Sequence, residues 1–131
     1  MSKARLQLIE AARSVCGVFN LRNDFSAGSV GAALRTASGN IYTGICIDLA
    51  CGLGFCAEVA AIAEMLKHRE TQIELIVAVS RDTILPPCGR CRETIAQLDP
   101  RNLDCRVVIA PEQEVLLKEL MPEHWLDYKK K

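Results

Sequence analysis

Apolar residues recur at three- and four-residue steps from Ala4 to Val18. Leu6, Leu8, Ile9, Ala12, Val15 and Cys16 form one stripe, which predicts a first helix with a single buried face. Asn20 to Ser29 is rich in Asn, Asp, Ser and Gly and reads as loop. Val30-Gly-Ala-Ala-Leu-Arg-Thr36 then reads as a strand whose small residues admit a close neighbour. Ser38-Gly39-Asn40 separates it from Ile41-Tyr-Thr-Gly-Ile-Cys-Ile47, so the two strands are expected to pair antiparallel as a hairpin. Helical spacing returns from Ala57 to Lys67, with Val59, Ile62, Ala63 and Leu66 on one face. Ile73-Glu-Leu-Ile-Val-Ala-Val79 is nearly all apolar, the character of a central strand. A third helix over Gly89 to Leu98 and a strand over Cys105 to Ala110 follow. Glu114 to Leu120 fits two forms, a short edge strand running into a helical turn or one helix of about two turns, with Pro122 limiting both.

A helix, a hairpin, then alternating helices and strands predict a three-layer α/β/α domain around a mixed sheet. At 131 residues, 1–131 is expected to be a single domain with one core. Sixteen basic and sixteen acidic residues cancel, so no global positive field draws the chain to nucleic acid or to an anionic membrane, and the basic Lys129–Lys131 end is too short to change that. Without a long apolar span or a signal-peptide pattern, a cytoplasmic enzyme is expected. Seven cysteines, an odd number with two in a C-x-x-C, point to reduced thiols, some bound to metal, rather than to a disulfide framework.

The residues that carry chemistry are Cys56-Ala57-Glu58 and Pro87-Cys88-Gly89-Arg90-Cys91. Each group falls where a loop becomes a helix. Unpaired backbone N–H groups and the positive end of the helix dipole favour a thiolate there. Cys88 and Cys91, three apart on one turn, can face one ion. Three thiolates fill three corners of the tetrahedron of one zinc ion per subunit and leave the fourth for water, the form of a catalytic site. A closed structural site would need a fourth ligand, from Cys46, Cys51, Cys105, His68 or His124. Glu58, two residues past a ligand at a helix start, is placed to lean over an open site and move protons.

Cys-Ala-Glu followed by Pro-Cys-x-x-Cys is similar to the zinc motif of nucleobase deaminases. With Val30-Gly-Ala-Ala-Leu34, Ser38-Gly39, Ile41-Tyr-Thr-Gly44 and Glu119-Leu-Met-Pro122, the chain resembles the small, single-domain cytidine deaminase family and its blasticidin-S deaminase branch, over about Leu6 to Trp125. The resemblance implies a five-stranded mixed sheet flanked by helices. It also implies a homotetramer with shared active sites, and hydrolysis of the exocyclic amine of a cytosine-type nucleoside, with Glu58 passing protons to the ring nitrogen and the departing ammonia. Backbone near Cys56, Ala57 and Pro87 would hold the base. An antibiotic or modified cytosine nucleoside is the alternative substrate, and a zinc-stabilised binding protein without catalysis the alternative class.

The chain departs from the family pattern around the substrate. The usual Gly-Cys-Asn-Ile-Glu is here Gly44-Ile-Cys46-Ile-Asp48, which makes Cys46 and Asp48 the candidate sugar contacts. Phe25 stands in the family's aromatic position, with Gly28 where a phenylalanine is usual. Val59 replaces the arginine that offsets the charge of three thiolates, so Arg90, with Arg92 second, is expected to compensate. Trp125, in the tail that closes the site in related enzymes, is expected either to cover substrate or to pack. Cys16 and Cys105 are expected to be packed thiols and His68 to be solvated.

Overall fold

The structure is a computed structural model describing residues 2–128, and the basic Lys129–Lys131 end lies outside the described residues. Helix α1 (Lys3–Val15) starts on Ser2, whose hydroxyl accepts from the Arg5 N–H at 3.2 Å. Strands β1 (Phe19–Asn20), β2 (Ser26–Thr36) and β3 (Ile41–Asp48) precede helix α2 (Ala57–Lys67). Then come β4 (Ile73–Ser80), β5 (Thr83–Leu85), α3 (Gly89–Leu98), β6 (Arg106–Ala110), β7 (Gln113–Leu116) and α4 (Trp125–Tyr128). Tighter 3-10 turns cover Pro100–Asp104 and Leu117–Leu120. The C-terminal segment is therefore an edge strand running into a helical turn, the first of the two forms its pattern allowed.

Five strands are linked in the order β3, β2, β4, β6, β7, with only the β4–β6 pairing parallel. The sheet has seven strands rather than the expected five, because β1 pairs with the start of β2 and β5 with the end of β4. Both are too short to leave a readable alternation. Strand β2 also begins four residues before the expected Val30, inside the predicted loop. The Gly17 N–H donates to the Gly28 carbonyl at 2.8 Å, and Gly28 takes φ +85, which only glycine adopts freely. The β2–β3 register shifts between Ala27 and Gly31, so this polar stretch stays in the sheet as a bulge.

Alternation along the strands divides the core between two faces. Ala33, Leu75, Val77, Val79 and Val108 meet Leu8, Ile9 and Ala12 of α1. Leu34, Ile76 and Val107 point the other way, onto Ala61, Ile62 and Met65 of α2 and Ile95 and Ala96 of α3. The result is the three-layer α/β/α arrangement. Two details fix where α2 and α3 lie. Gly44 of β3 touches the α2 backbone so closely that a Cβ there would stand 2.4 Å from the Ala61 nitrogen and 2.7 Å from the Ala57 carbonyl oxygen. Asn102, fully buried, accepts from the Ile73 N–H at 2.8 Å and donates to the carbonyls of Thr71 and Ile95, tying the start of β4 to α3.

Gly44→Ala is expected to lower stability by about 1–3 kcal/mol, because the added methyl must push the first turns of α2 off the sheet. Thermal denaturation of the metal-free chain measures this, and an unchanged melting temperature would show that α2 does not rest on that position.

Candidate active site

The loop from Leu49 to Gly54 is pinned at its ends. Ile47 and Phe55 exchange two backbone hydrogen bonds of 3.0 Å, which deliver Cys56 to the start of α2. Cys56 is the N-cap of α2 and Cys88 the N-cap of α3, and neither side chain caps its own helix. An N-cap oxygen normally turns back onto the helix N–H groups. Here the sulfurs turn toward each other: Cys56 Sγ and Cys88 Sγ stand 3.4 Å apart, and Cys91 Sγ completes a group whose sulfurs all lie within 4.8 Å. Among the described residues no fourth Cys, His, Asp or Glu joins this group. Cys91 is buried, Cys56 half-buried and Cys88 exposed.

Burial raises the thiol pKa of Cys91 strongly, with the Glu58 charge adding to it. Burial, with the Cys88 thiol, also raises that of Cys56. Burial opposes ionisation of Cys88 too, but the Cys91 N–H, the Cys56 and Cys91 thiols and the Arg90 N–H outweigh it, and its pKa falls. Glu58 is 5% exposed, and burial pushes its carboxyl pKa up against the opposing pull of its own N–H and the Cys91 thiol. Cys56, Glu58 and Cys88 line a cleft of about 470 Å³, together with Ser29, Cys46, Asp48, Phe55 and Arg90 among others, and Cys91 is buried out of its lining. That size suits a small molecule.

The donor set fits zinc. Tetrahedral zinc–thiolate bonds of about 2.3 Å place sulfurs roughly 3.8 Å apart, so Cys56, Cys88 and Cys91 would hold one zinc ion as three soft donors, two of them lining the cleft. Residues 7–107 match the family model described as the cytidine and deoxycytidylate deaminase zinc-binding region. The chain belongs to that family.

It is 30% identical to a blasticidin-S deaminase from Bacillus cereus over 93% of this chain and 92% of that one. It is 34% identical to a cytidine deaminase from Halalkalibacterium halodurans over 75% and 77%. The crystal structure of cytidine deaminase from Burkholderia pseudomallei superposes with a TM-score of 0.71 at 25% identity, covering 95% of this chain and all of that one. That of the Mycobacterium tuberculosis enzyme gives 0.77 at 24% identity over 92% and 95%, a likeness of fold. The chain is thus a zinc-dependent hydrolytic deaminase.

Within this deaminase the other anticipated residues separate into two groups. Cys46, Asp48, Ala57 and Arg90 line the cleft. Cys46 is turned into the wall, where its sulfur accepts from the Val30 N–H at 3.3 Å and meets Ser29 Oγ at 3.2 Å, while Asp48 stands exposed with Ser29 Oγ donating to it at 3.4 Å. Pro87 is buried behind the cleft, against Glu58. Phe25 and Trp125 do not line the cleft. Trp125 is 53% exposed, and its backbone N–H donates to Glu93 Oε1 at 2.9 Å. Neither the Arg90 nor the Arg92 guanidinium makes a hydrogen bond to a sulfur; that of Arg92 goes to the carbonyls of Pro87 and Leu120.

Cys105 is buried with its thiol pKa pushed up to about 12 by burial, and Cys16 is half-buried against the Ser29 and Val79 carbonyls. His68 is half exposed, but its Nδ1 lies 3.0 Å from the Glu64 carbonyl oxygen and its ring against Tyr42. Ser29 and Phe55 were missed. Ser29 directly precedes Val30-Gly-Ala-Ala33, and placing the strand start earlier would have aimed it at Cys46.

Zinc uptake must displace protons from Cys56 and Cys91, whose thiols are protonated well above neutral pH in the metal-free fold. Apparent zinc affinity is therefore expected to rise from about pH 6 to about pH 8, with proton release on binding. Competition against a chelator of known proton affinity measures this, and a pH-independent affinity would exclude thiol ligands.

Proposed function

We propose that this deaminase converts cytidine or deoxycytidine to the uracil nucleoside with release of ammonia, using one zinc ion held by Cys56, Cys88 and Cys91. The observation that carries the reading is the buried Glu58 carboxyl, beside the Cys56 and Cys91 sulfurs and open to the cleft. Bound zinc supplies the Lewis acid that makes water a nucleophile near neutral pH. Glu58 takes one proton of the attacking water on a carboxylate oxygen and delivers it to the ring nitrogen; it then takes the remaining hydroxyl proton and gives it to the amine, so that the carbonyl forms as the C–N bond breaks and ammonia leaves. A carboxyl whose pKa is raised toward neutrality can both accept and return that proton. The Ala57 backbone at the cleft wall holds the base, and Arg90, at the same wall, offsets the thiolate charge.

A blasticidin-S deaminase-like specificity is the second reading. The burial of Cys46 favours it, because a sulfur committed to Val30 and Ser29 offers a sugar no amide contact. Exposed Phe19 and Val18 at β1 and Leu53 at 71% exposure on the cleft-rim loop support assembly of copies into a homotetramer, with Phe25 and Trp125 completing a neighbour's cleft. We read the chain as one cytoplasmic domain serving pyrimidine salvage. Its seven free thiols suit a reducing compartment, and among the described residues no helix is long and apolar enough to cross a membrane.

Ammonia release from cytidine, deoxycytidine, cytosine, blasticidin S and modified cytosine nucleosides tests the assignment. Glu58→Gln is expected to lower turnover by about 10²–10⁴-fold with zinc content unchanged. A zinc-loaded chain inert on every substrate would refute the reading, and wild-type turnover in Glu58→Gln would refute the role of Glu58. Light scattering in solution is expected to find four chains per particle, and Leu53→Asp to reduce that number; a wild-type monomer that is fully active would remove the shared site.

A further inference from the structure

Arg92 holds main chain on both sides of Cys88. Its Nε donates to the Pro87 carbonyl at 2.8 Å, and its own backbone N–H donates to the Cys88 carbonyl at 3.0 Å. The rigid peptide plane that carries the Pro87 oxygen also carries the Cys88 nitrogen. Both peptide planes flanking the Cys88 Cα are therefore tied to one residue, which sets the extended φ −69, ψ 170 that aims the sulfur at Cys56. Cys88 needs that support more than Cys91 does, because it is exposed and makes no side-chain cap bond.

The third bond reaches further. Arg92 Nη1 donates at 3.0 Å to the carbonyl of Leu120, the last residue of the Leu117–Leu120 turn, where carbonyls lack partners of their own. The next residue, Glu93, accepts from the Trp125 N–H. The first turns of α3 thus grip the C-terminal stretch with the same residues that follow the metal loop.

We infer that Arg92 is a positioning residue: it fixes Cys88 for zinc and couples that sulfur to the C-terminal stretch, through two directed side-chain hydrogen bonds rather than through its charge. A lysine keeps the charge but places all its donors on one nitrogen, so it does not reproduce the fork that spans two separate carbonyls.

The test uses the full zinc-loaded chain, with Arg92→Lys, Arg92→Ala and, as a control that weakens the fold on the opposite face of the sheet, Leu8→Ala. Zinc loss to a chromophoric chelator is expected to be roughly 10- to 100-fold faster in both Arg92 variants, the range by which removing a partner that orients a metal ligand weakens metal binding. Limited proteolysis is expected to cut beyond Leu120 sooner in both. Leu8→Ala is expected to melt earlier but to lose zinc at the wild-type rate. A wild-type rate in Arg92→Lys would assign the effect to charge and overturn the inference. So would equally fast loss in Leu8→Ala, which would make it general instability. If Arg92→Ala does not fold, Arg92→Lys against Leu8→Ala decides alone. The inference rests on the zinc reading, and the two fail differently: a wild-type chain that holds no zinc overturns that reading, whereas a zinc-holding wild type with unaffected Arg92 variants overturns only the role of Arg92.

Discussion

Three sulfurs from two separate helix starts must come within 4.8 Å of one another, and most of the fold can be understood as the means of meeting that condition. Helix α2 can deliver Cys56 only if it lies flat on β3, which Gly44 permits by having no side chain. Helix α3 can deliver Cys88 and Cys91 only if its far end is anchored, and Asn102 anchors it to the start of β4. The sheet between α1 and these two helices supplies the rigid base, with alternate residues of β2, β4 and β6 filling opposite faces.

Meeting that condition brings an electrostatic cost. All three thiols and the Glu58 carboxyl are partly desolvated, and burial leaves the pKa of Cys56, Cys91 and Glu58 raised. A divalent cation among them reverses the balance, since it stabilises thiolates that the metal-free fold keeps protonated. Metal binding and local order at the two helix starts are therefore linked, and the hydrogen bonds of Arg92 extend that link to the C-terminal stretch.

Much of this was legible in the sequence, for identifiable reasons. Helices α2 and α3 have the bounds their spacing predicts, because each combines an apolar stripe with a cysteine at the loop-to-helix boundary. The gathering of Cys56, Cys88 and Cys91 follows once those starts are known. What stayed hidden depends on partners distant along the chain. The early start of β2 needs Gly17 to meet Gly28, and the short strands β1 and β5 exist only as additions to longer neighbours. The direction of the Arg92 side chain is set by Leu120, 28 residues away. The burial of Cys46 depends on Ser29 and Val30 across the hairpin, so a residue expected to contact a sugar lies in the cleft wall with its sulfur held by them.

X-ray absorption at the zinc edge of the purified chain examines the central claim most directly. Three sulfurs at about 2.3 Å and one lighter atom around a single zinc are the expected shell. Four sulfurs, or a shell of nitrogen and oxygen alone, would contradict an open three-thiolate site at Cys56, Cys88 and Cys91.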